Sequence, residues 1–153
     1  MVEDRKLLRN GLIIAAIVIV VRIVLEQIGA PEPVNMVFGV AWLYLIMPVL
    51  FGWSIASTHT AGRYKALFKD VFLFALYTRL MVAVTYMLAY LFRWSAPRFA
   101  ESNGGPVGEN ISLLRGILLI PVLNAVTWII TATIVGMILG SIVLLLKRRP
   151  AAA

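Results

Sequence analysis

The chain has 153 residues, of which 61% are hydrophobic and 14% are charged, and it carries a formal net charge of +7. Soluble domains average about 45–50% apolar and about 25% charged residues, so this chain lacks the polar groups that would cover a water-exposed surface. Its mean hydropathy of +0.94 agrees. The composition excludes an ordinary soluble enzyme, a disordered tail and a coiled coil, and it predicts an integral membrane protein.

Residue counts also exclude several kinds of site. With no cysteine and one histidine, His59, the chain lacks the ligands for thiolate-bound metal, a disulfide framework or a bis-histidine haem. It contains no glycine-rich phosphate loop, nucleophile elbow or HExxH motif, and Glu101 and Glu109 lie in a glycine-rich segment that gives them no fixed geometry. We expect no catalytic residue, metal or cofactor, and predict that the protein is not an enzyme; an enzyme completed by a partner chain is the weakest alternative.

Four apolar stretches cover residues 11–28, 34–56, 71–92 and 117–146. A helix needs about 20 apolar residues to cross a hydrocarbon core about 30 Å thick, so each stretch predicts a transmembrane helix. The expected fold is an all-α, antiparallel four-helix transmembrane bundle that forms one domain over residues 1–153. Residues 60–70 are expected to begin as an interfacial helix, and residues 93–115 to form a mobile external loop.

The distribution of basic residues predicts the orientation of this bundle. Nine Lys and Arg residues occur in the amino-terminal, 60–70 and carboxyl-terminal segments, against three in residues 93–115. Because such residues collect on the cytoplasmic side, both termini are expected in the cytoplasm, and the excess of Arg over Lys favours a bacterial inner membrane. The positive charge therefore does not indicate nucleic acid as a partner. The residues expected to contact anionic lipid headgroups are Arg63, Lys65, Lys69, Lys147, Arg148 and Arg149.

Three charged residues interrupt the predicted spans: Arg22, Glu26 and Arg79. An arginine at the centre of a span costs about 2.5–3.5 kcal/mol on the insertion scale, so these side chains should face protein or water. Arg22 and Glu26 are four residues apart and share a helix face. Glu26 can pair with Arg22 along the helix, which leaves Arg79 without an obvious partner; sharing of Glu26 between the two arginines is the alternative. Tyr86 and Tyr90 continue the Arg79 face and are expected to line the same polar seam.

Two interpretations of these charges compete. In the structural one, the network fixes how the first and third spans pack, or it meets a partner subunit. In the functional one, the arginines bind an anion or a lipid phosphate and Glu26 carries a proton. Buried membrane charges favour function in general, but the scarcity of accompanying polar groups favours the structural interpretation here.

The fourth span carries small and polar residues at helical spacing. Small residues four apart let a second helix approach closely, and hydroxyl or amide groups can hydrogen-bond across helices. Packing within the bundle is slightly favoured over self-association or contact with a partner subunit. The small residues are Ala132, Gly136 and Gly140, and the polar stripe is Asn124, Thr127 and Thr131.

Taken together, the sequence predicts a non-catalytic accessory or scaffold subunit of a larger membrane complex. It would act through helix packing and buried Arg and Glu contacts, with lipids, other integral membrane subunits or a second copy as partners. The alternative is a small homo-oligomeric transporter or flippase for an anionic solute or lipid that uses Arg22, Glu26 and Arg79.

Overall fold

The structure, a computed structural model, describes residues 2–147, with side chains described from Asp4 onward. These residues form helices and turns without a strand, apart from one isolated β-bridge between Ala100 and Val107. The prediction of an all-helical protein is therefore confirmed for this part of the chain. The α-helices are α1 (Val2–Gln27), α2 (Glu32–Val37), α3 (Leu43–Thr58), α4 (Arg63–Phe92) and α5 (Ile120–Leu146).

Three helical stretches are long and apolar enough to cross a membrane: Asp4–Gln27, Arg63–Phe92 and Arg115–Leu146. The last of these joins a π-helical turn, Arg115–Leu119, directly to α5. Their outward faces carry large apolar side chains, such as Ile17 and Ile134. Contiguous apolar surface of this kind is rare on soluble monomers and suits contact with lipid chains. The protein is thus a helical membrane protein, as its composition predicts.

The second predicted span, residues 34–56, differs from the structure. It is divided into the short helix α2, a non-helical passage over residues 38–42, and α3, which has 16 residues. Apolarity continues across the break, so hydropathy could not reveal it. Glycine is a poor helix former, which favours a break at Gly39. A side chain would also fit poorly there, because a Cβ atom would lie 3.0 Å from the Met36 carbonyl oxygen and 3.3 Å from a guanidinium nitrogen of Arg22.

Helix boundaries also differ elsewhere. The helix expected from residue 11 already begins at Val2. Helix α4 begins at Arg63, so most of residues 60–70 forms its first turns. Lysine, arginine and glutamate are good helix formers, which lets a helix run past its apolar part. Residues 93–115 contain two 3₁₀ turns, Pro97–Phe99 and Glu101–Asn103, and Phe99 is fully buried beside Ala89.

The main core lies where α3 packs against α4 and α5. Phe51 and Ile55 of α3 and Leu67 of α4 are fully buried. Close approach depends on glycine, since a Cβ atom at Gly136 would lie 2.6 Å from Val71 Cγ1 of α4 and 2.9 Å from Pro48 Cγ of α3. A Cβ atom at Gly140 would lie 2.6 Å from Leu67 Cδ1. The small-residue face of α5 is therefore occupied by helices of the same chain.

This packing predicts that Gly136→Leu destabilises the fold. The added side chain would overlap Val71 and Pro48, and overpacking of this kind costs about 1–3 kcal/mol. We expect a lower melting temperature in detergent, followed by circular dichroism. Ile138→Leu changes an exposed position of the same helix and should leave the melting temperature unchanged. A Gly136→Leu protein that melts normally but changes its oligomeric state would contradict internal packing.

Candidate anion-binding site

Polar side chains inside the bundle collect around one cavity of about 190 Å³. It lies where the carboxyl-terminal part of α1, the passage between α2 and α3, the middle of α4 and the start of α5 meet. At a rise of 1.5 Å per residue, Arg79 lies roughly 20 Å along α4 from the end of that helix at Phe92. We call this space the arginine cavity; its polar and aromatic lining is Arg22, Phe38, Arg79, Tyr86, Arg98, Asn124 and Trp128.

Glu26 is the carboxylate at the centre of this group. Its side chain is 2% exposed. Its Oε1 accepts a hydrogen bond from Arg22 Nε at 2.8 Å, and its Oε2 accepts one from Arg98 Nε at 3.0 Å. Glu32 lies farther away, with a carboxylate oxygen 3.9 Å from Arg22 Nη2 and a side chain that is 42% exposed. One buried carboxylate is therefore shared by two guanidiniums that come from distant parts of the sequence.

Arg98 reaches Glu26 because the chain turns back after α4. Arg93 adopts a left-handed backbone conformation at φ 53°, which ends α4. The Phe99 ring then packs edge-on against Tyr86, with ring centroids 5.3 Å apart, and the Arg98 guanidinium lies 4.3 Å from the Phe99 centroid. The buried aromatic ring thus anchors the segment that brings Arg98 to α1.

Arg79 does not pair with Glu26, which is bound by Arg22 and Arg98 instead. Within residues 2–147 it makes no ion pair, and its buried Nε has no hydrogen-bond partner. Its guanidinium carbon instead lies 4.5 Å from the Trp128 ring centroid and 5.0 Å from that of Tyr44. Such cation–π contacts contribute about 0.5–2 kcal/mol, but an aromatic ring carries no net charge. The Arg79 guanidinium therefore has no counter-charge among the described residues.

The balance of charge in the arginine cavity is positive. Three guanidiniums face one buried carboxylate, so two positive charges are uncompensated, or one if the half-exposed Glu32 is counted. Burial lowers the pKa of Arg98 while Glu26 opposes that change, and an arginine remains protonated in proteins. Guanidiniums bind carboxylates and phosphates through paired hydrogen bonds. The cavity therefore has the donors and the charge for an anion.

Some of the other predicted site residues line the arginine cavity, and others make contacts elsewhere in the bundle. Tyr86 and Asn124 line the cavity, whereas Tyr90 does not: its hydroxyl donates to the Ile111 carbonyl at 3.3 Å. The chain that returns to α5 covers the last turns of α4, which separates Tyr90 from the seam. Thr131 Oγ1 donates to the carbonyl oxygen of Thr127 at 2.9 Å, within α5.

Sequence reasoning missed three residues of this site: Arg98, Tyr44 and Trp128. Arg98 lies 72 residues from Glu26 and in a segment interpreted as a loop, so no local spacing could connect them. Trp128 could have been found, because it follows Asn124 by four residues and shares its helix face. Tyr44 offers no comparable signal, since the sequence gives no reason to place it beside Arg79.

A second polar cluster, the Asp4 cluster, consists of Asp4, Ser54 and His59. Asp4 Oδ1 accepts from Ser54 Oγ and its Oδ2 contacts His59 Nε2, both at 2.9 Å. These contacts join the start of α1 to the end of α3. The same region includes Lys65 and Lys69. Within residues 2–147, no group of three His, Asp or Glu side chains is placed to hold a metal ion.

Two further residues predicted to contact lipid headgroups make contacts within the protein. Arg63 Nε donates to the His59 carbonyl at 2.7 Å, and Lys147 Nζ lies 2.8 Å from the ring centroid of Trp53. Arg148 and Arg149 lie outside the described residues. Comparisons with protein-family models, with curated proteins and with solved structures give no match for the chain.

The buried ion pairs predict that Glu26→Gln is strongly destabilising. Removal of the carboxylate leaves Arg22 and Arg98 without their shared counter-charge, and breaking a buried pair in this way costs about 3–5 kcal/mol. Thermal unfolding in detergent, followed by intrinsic fluorescence, should show a large fall in melting temperature. Glu32→Gln is the matched control and should change little, because its pair is exposed and long. Equal melting temperatures for the two variants would contradict the central position of Glu26.

Proposed function

We propose that this protein is a small membrane transporter whose arginine cavity binds an anionic solute or an anionic lipid headgroup. The observation that carries the proposal is the excess of buried guanidiniums over carboxylates in one cavity. Uncompensated charge is costly to bury in a protein inside hydrocarbon. A bound phosphate or carboxylate group supplies the missing negative charge and accepts hydrogen bonds from donors that are otherwise unused.

Arg79 distinguishes this function from a purely structural role. Packing of α1 against the segment after α4 is explained by Glu26 with Arg22 and Arg98. Arg79 contributes to neither ion pair, yet it lies 6% exposed with an unsatisfied Nε. A residue kept only for packing would be replaced more favourably by an apolar one. A bound anionic ligand would provide Arg79 with a counter-charge and a hydrogen-bond acceptor.

For the membrane arrangement we propose four crossings, with residues 32–58 as a broken second crossing. Non-helical backbone at membrane depth is tolerated where it lines a cavity, and Phe38, Val40 and Ala41 of the break line the arginine cavity. The Asp4–His59 contact joins the start of α1 to the end of α3, and Lys147 beside Trp53 brings the end of α5 to the same end of the bundle. These contacts support termini on one side, proposed to be the cytoplasmic side of a bacterial inner membrane.

The accessory-subunit function stays a prediction. An acidic side chain of a partner subunit would also neutralise Arg79, and α1 buries little of its apolar surface within this chain. We rank this function second because the donors already surround a cavity inside a single chain. A bound ligand fits that enclosure more simply than an inserted partner side chain does.

Binding of inorganic phosphate tests the site. Protein purified in a zwitterionic detergent without phosphate should bind labelled phosphate saturably in equilibrium dialysis. We expect Arg79→Gln to weaken binding at least about 10-fold, equivalent to about 1.4 kcal/mol. Arg115→Gln removes the same charge from an exposed position and should bind normally. The proposal is wrong if the folded wild-type protein shows no saturable binding, or if both variants lose it equally.

Transport is tested separately in proteoliposomes. Wild-type protein should accelerate either the uptake of labelled phosphate or the movement of fluorescent phosphatidic acid between leaflets, and Arg79→Gln should abolish that activity. Arg115→Gln again serves as the control. If phosphate binds in the dialysis experiment but neither anion moves, the transport function fails while the binding site remains, and the accessory function becomes the better explanation.

A further inference from the structure

A second, apolar recess of about 300 Å³ lies between α3 and α5 on the surface of the bundle. Its sides include the exposed side chains of Trp42 and Leu45, and its floor includes the buried Ala132. The hydroxyl of Thr131, at its edge, is occupied by a hydrogen bond within α5. We call this recess the α3–α5 groove; its main lining residues are Trp42, Tyr44, Leu45, Trp128, Thr131 and Val135.

The α3–α5 groove adjoins the arginine cavity. Ala41 and Trp128 line both spaces. Tyr44 and Trp128, whose rings flank the Arg79 guanidinium, also form part of the groove wall. The Tyr44 hydroxyl is buried and has no hydrogen-bond partner in the described structure. The rings of Tyr44 and Trp128 therefore form a thin wall between an apolar recess on the lipid-facing surface and the positive charge of Arg79.

A groove alone cannot select a lipid, because a lipid chain is already in hydrocarbon and gains little by entering. Selection must come from the headgroup. The surplus positive charge attracts an anionic phosphate and repels a choline group. The rings of Tyr44 and Trp128, which could hold a quaternary ammonium, already contact the Arg79 guanidinium. The groove lets an acyl chain remain in an apolar environment while the phosphate enters the cavity.

We therefore infer that the ligand of the arginine cavity is an anionic phospholipid with a small phosphate headgroup, such as phosphatidic acid. Its phosphate is held by Arg79 and the neighbouring guanidiniums, and one acyl chain lies in the α3–α5 groove. This inference rests on the proposed anion site and names the source of the anion: a membrane lipid that enters from the side, rather than a free solute.

Fluorescence quenching tests this inference, because Trp128 lines both spaces. A variant in which Trp53 and Trp94 are replaced by Phe keeps only Trp42 and Trp128, which both line the groove. In phosphatidylcholine bilayers, phosphatidic acid with brominated chains should quench this variant saturably, at a mole fraction at least about 10-fold lower than brominated phosphatidylcholine requires. Arg79→Gln in the same background should reduce quenching to the phosphatidylcholine level.

Filling the α3–α5 groove separates lipid binding from phosphate binding. Thr131→Phe should abolish selective quenching by phosphatidic acid and leave the binding of inorganic phosphate intact. Ile138→Phe places the same side chain at an exposed position of the same helix outside the groove and should change neither. If circular dichroism shows that Thr131→Phe does not fold, Val135→Phe takes its place with the same expectations.

The possible outcomes distinguish the two proposals. If inorganic phosphate binds but phosphatidic acid quenches no more than phosphatidylcholine, the lipid inference is wrong and the anion site stands. If inorganic phosphate does not bind to the folded protein, both are wrong, because the lipid inference rests on the anion site. Selective quenching that survives a folded groove-filling variant would also overturn the assignment of the chain to the α3–α5 groove.

Discussion

The arrangement of the bundle depends on one constraint: positive charge inside an apolar protein needs a negative partner. Glu26 is the carboxylate that meets this need for Arg22 on its own helix and for Arg98 in the segment after α4. The second contact fixes where that segment lies, because it draws Arg98 back across the end of the bundle to α1. Glu26 does not also bind Arg79. Because its carboxylate is bound by Arg22 and Arg98, the cavity retains a surplus of positive charge.

The break between α2 and α3 has a related effect. An unbroken helix would fill the space beside Arg22 with side chains and would satisfy its own backbone groups. The passage over residues 38–42 instead places non-helical backbone there together with the side chains of Phe38, Val40 and Ala41. Gly39 allows the close approach to the Arg22 guanidinium. Irregular backbone at membrane depth is expensive unless it borders a cavity. The interruption of the helix and the cavity that it borders are thus two aspects of one feature.

Local regularities predict local parts of this structure. Composition predicts a helical membrane protein, and the four-residue spacing of Arg22 and Glu26 predicts the ion pair that the structure contains. The third member of the network, Arg98, could not be predicted, because its place depends on the left-handed turn at Arg93 and on the packing of Phe99. The option that Glu26 is shared with Arg79 is not found, because depth along two helices shows which charges are near one another but not which side chains contact the carboxylate. Hydropathy could not reveal the break over residues 38–42, since its residues are as apolar as the helices beside it.

The two ends of the bundle differ in whether their buried charged groups have hydrogen-bond partners, and this difference bears on function. In the Asp4 cluster, the carboxylate meets both Ser54 and His59, so its polar atoms are used to hold α1 against α3. In the arginine cavity, donors on Arg79 and Arg98 remain buried without partners, and an apolar groove runs up to the rings that flank Arg79. Polar groups that are hydrogen-bonded stabilise a contact between helices. Buried donors without an acceptor are costly, and beside an accessible space a bound molecule can supply that acceptor. A ligand with a charged group at one end and an apolar chain at the other satisfies both parts of that surface at once. A lipid therefore fits this site better than a simple ion does.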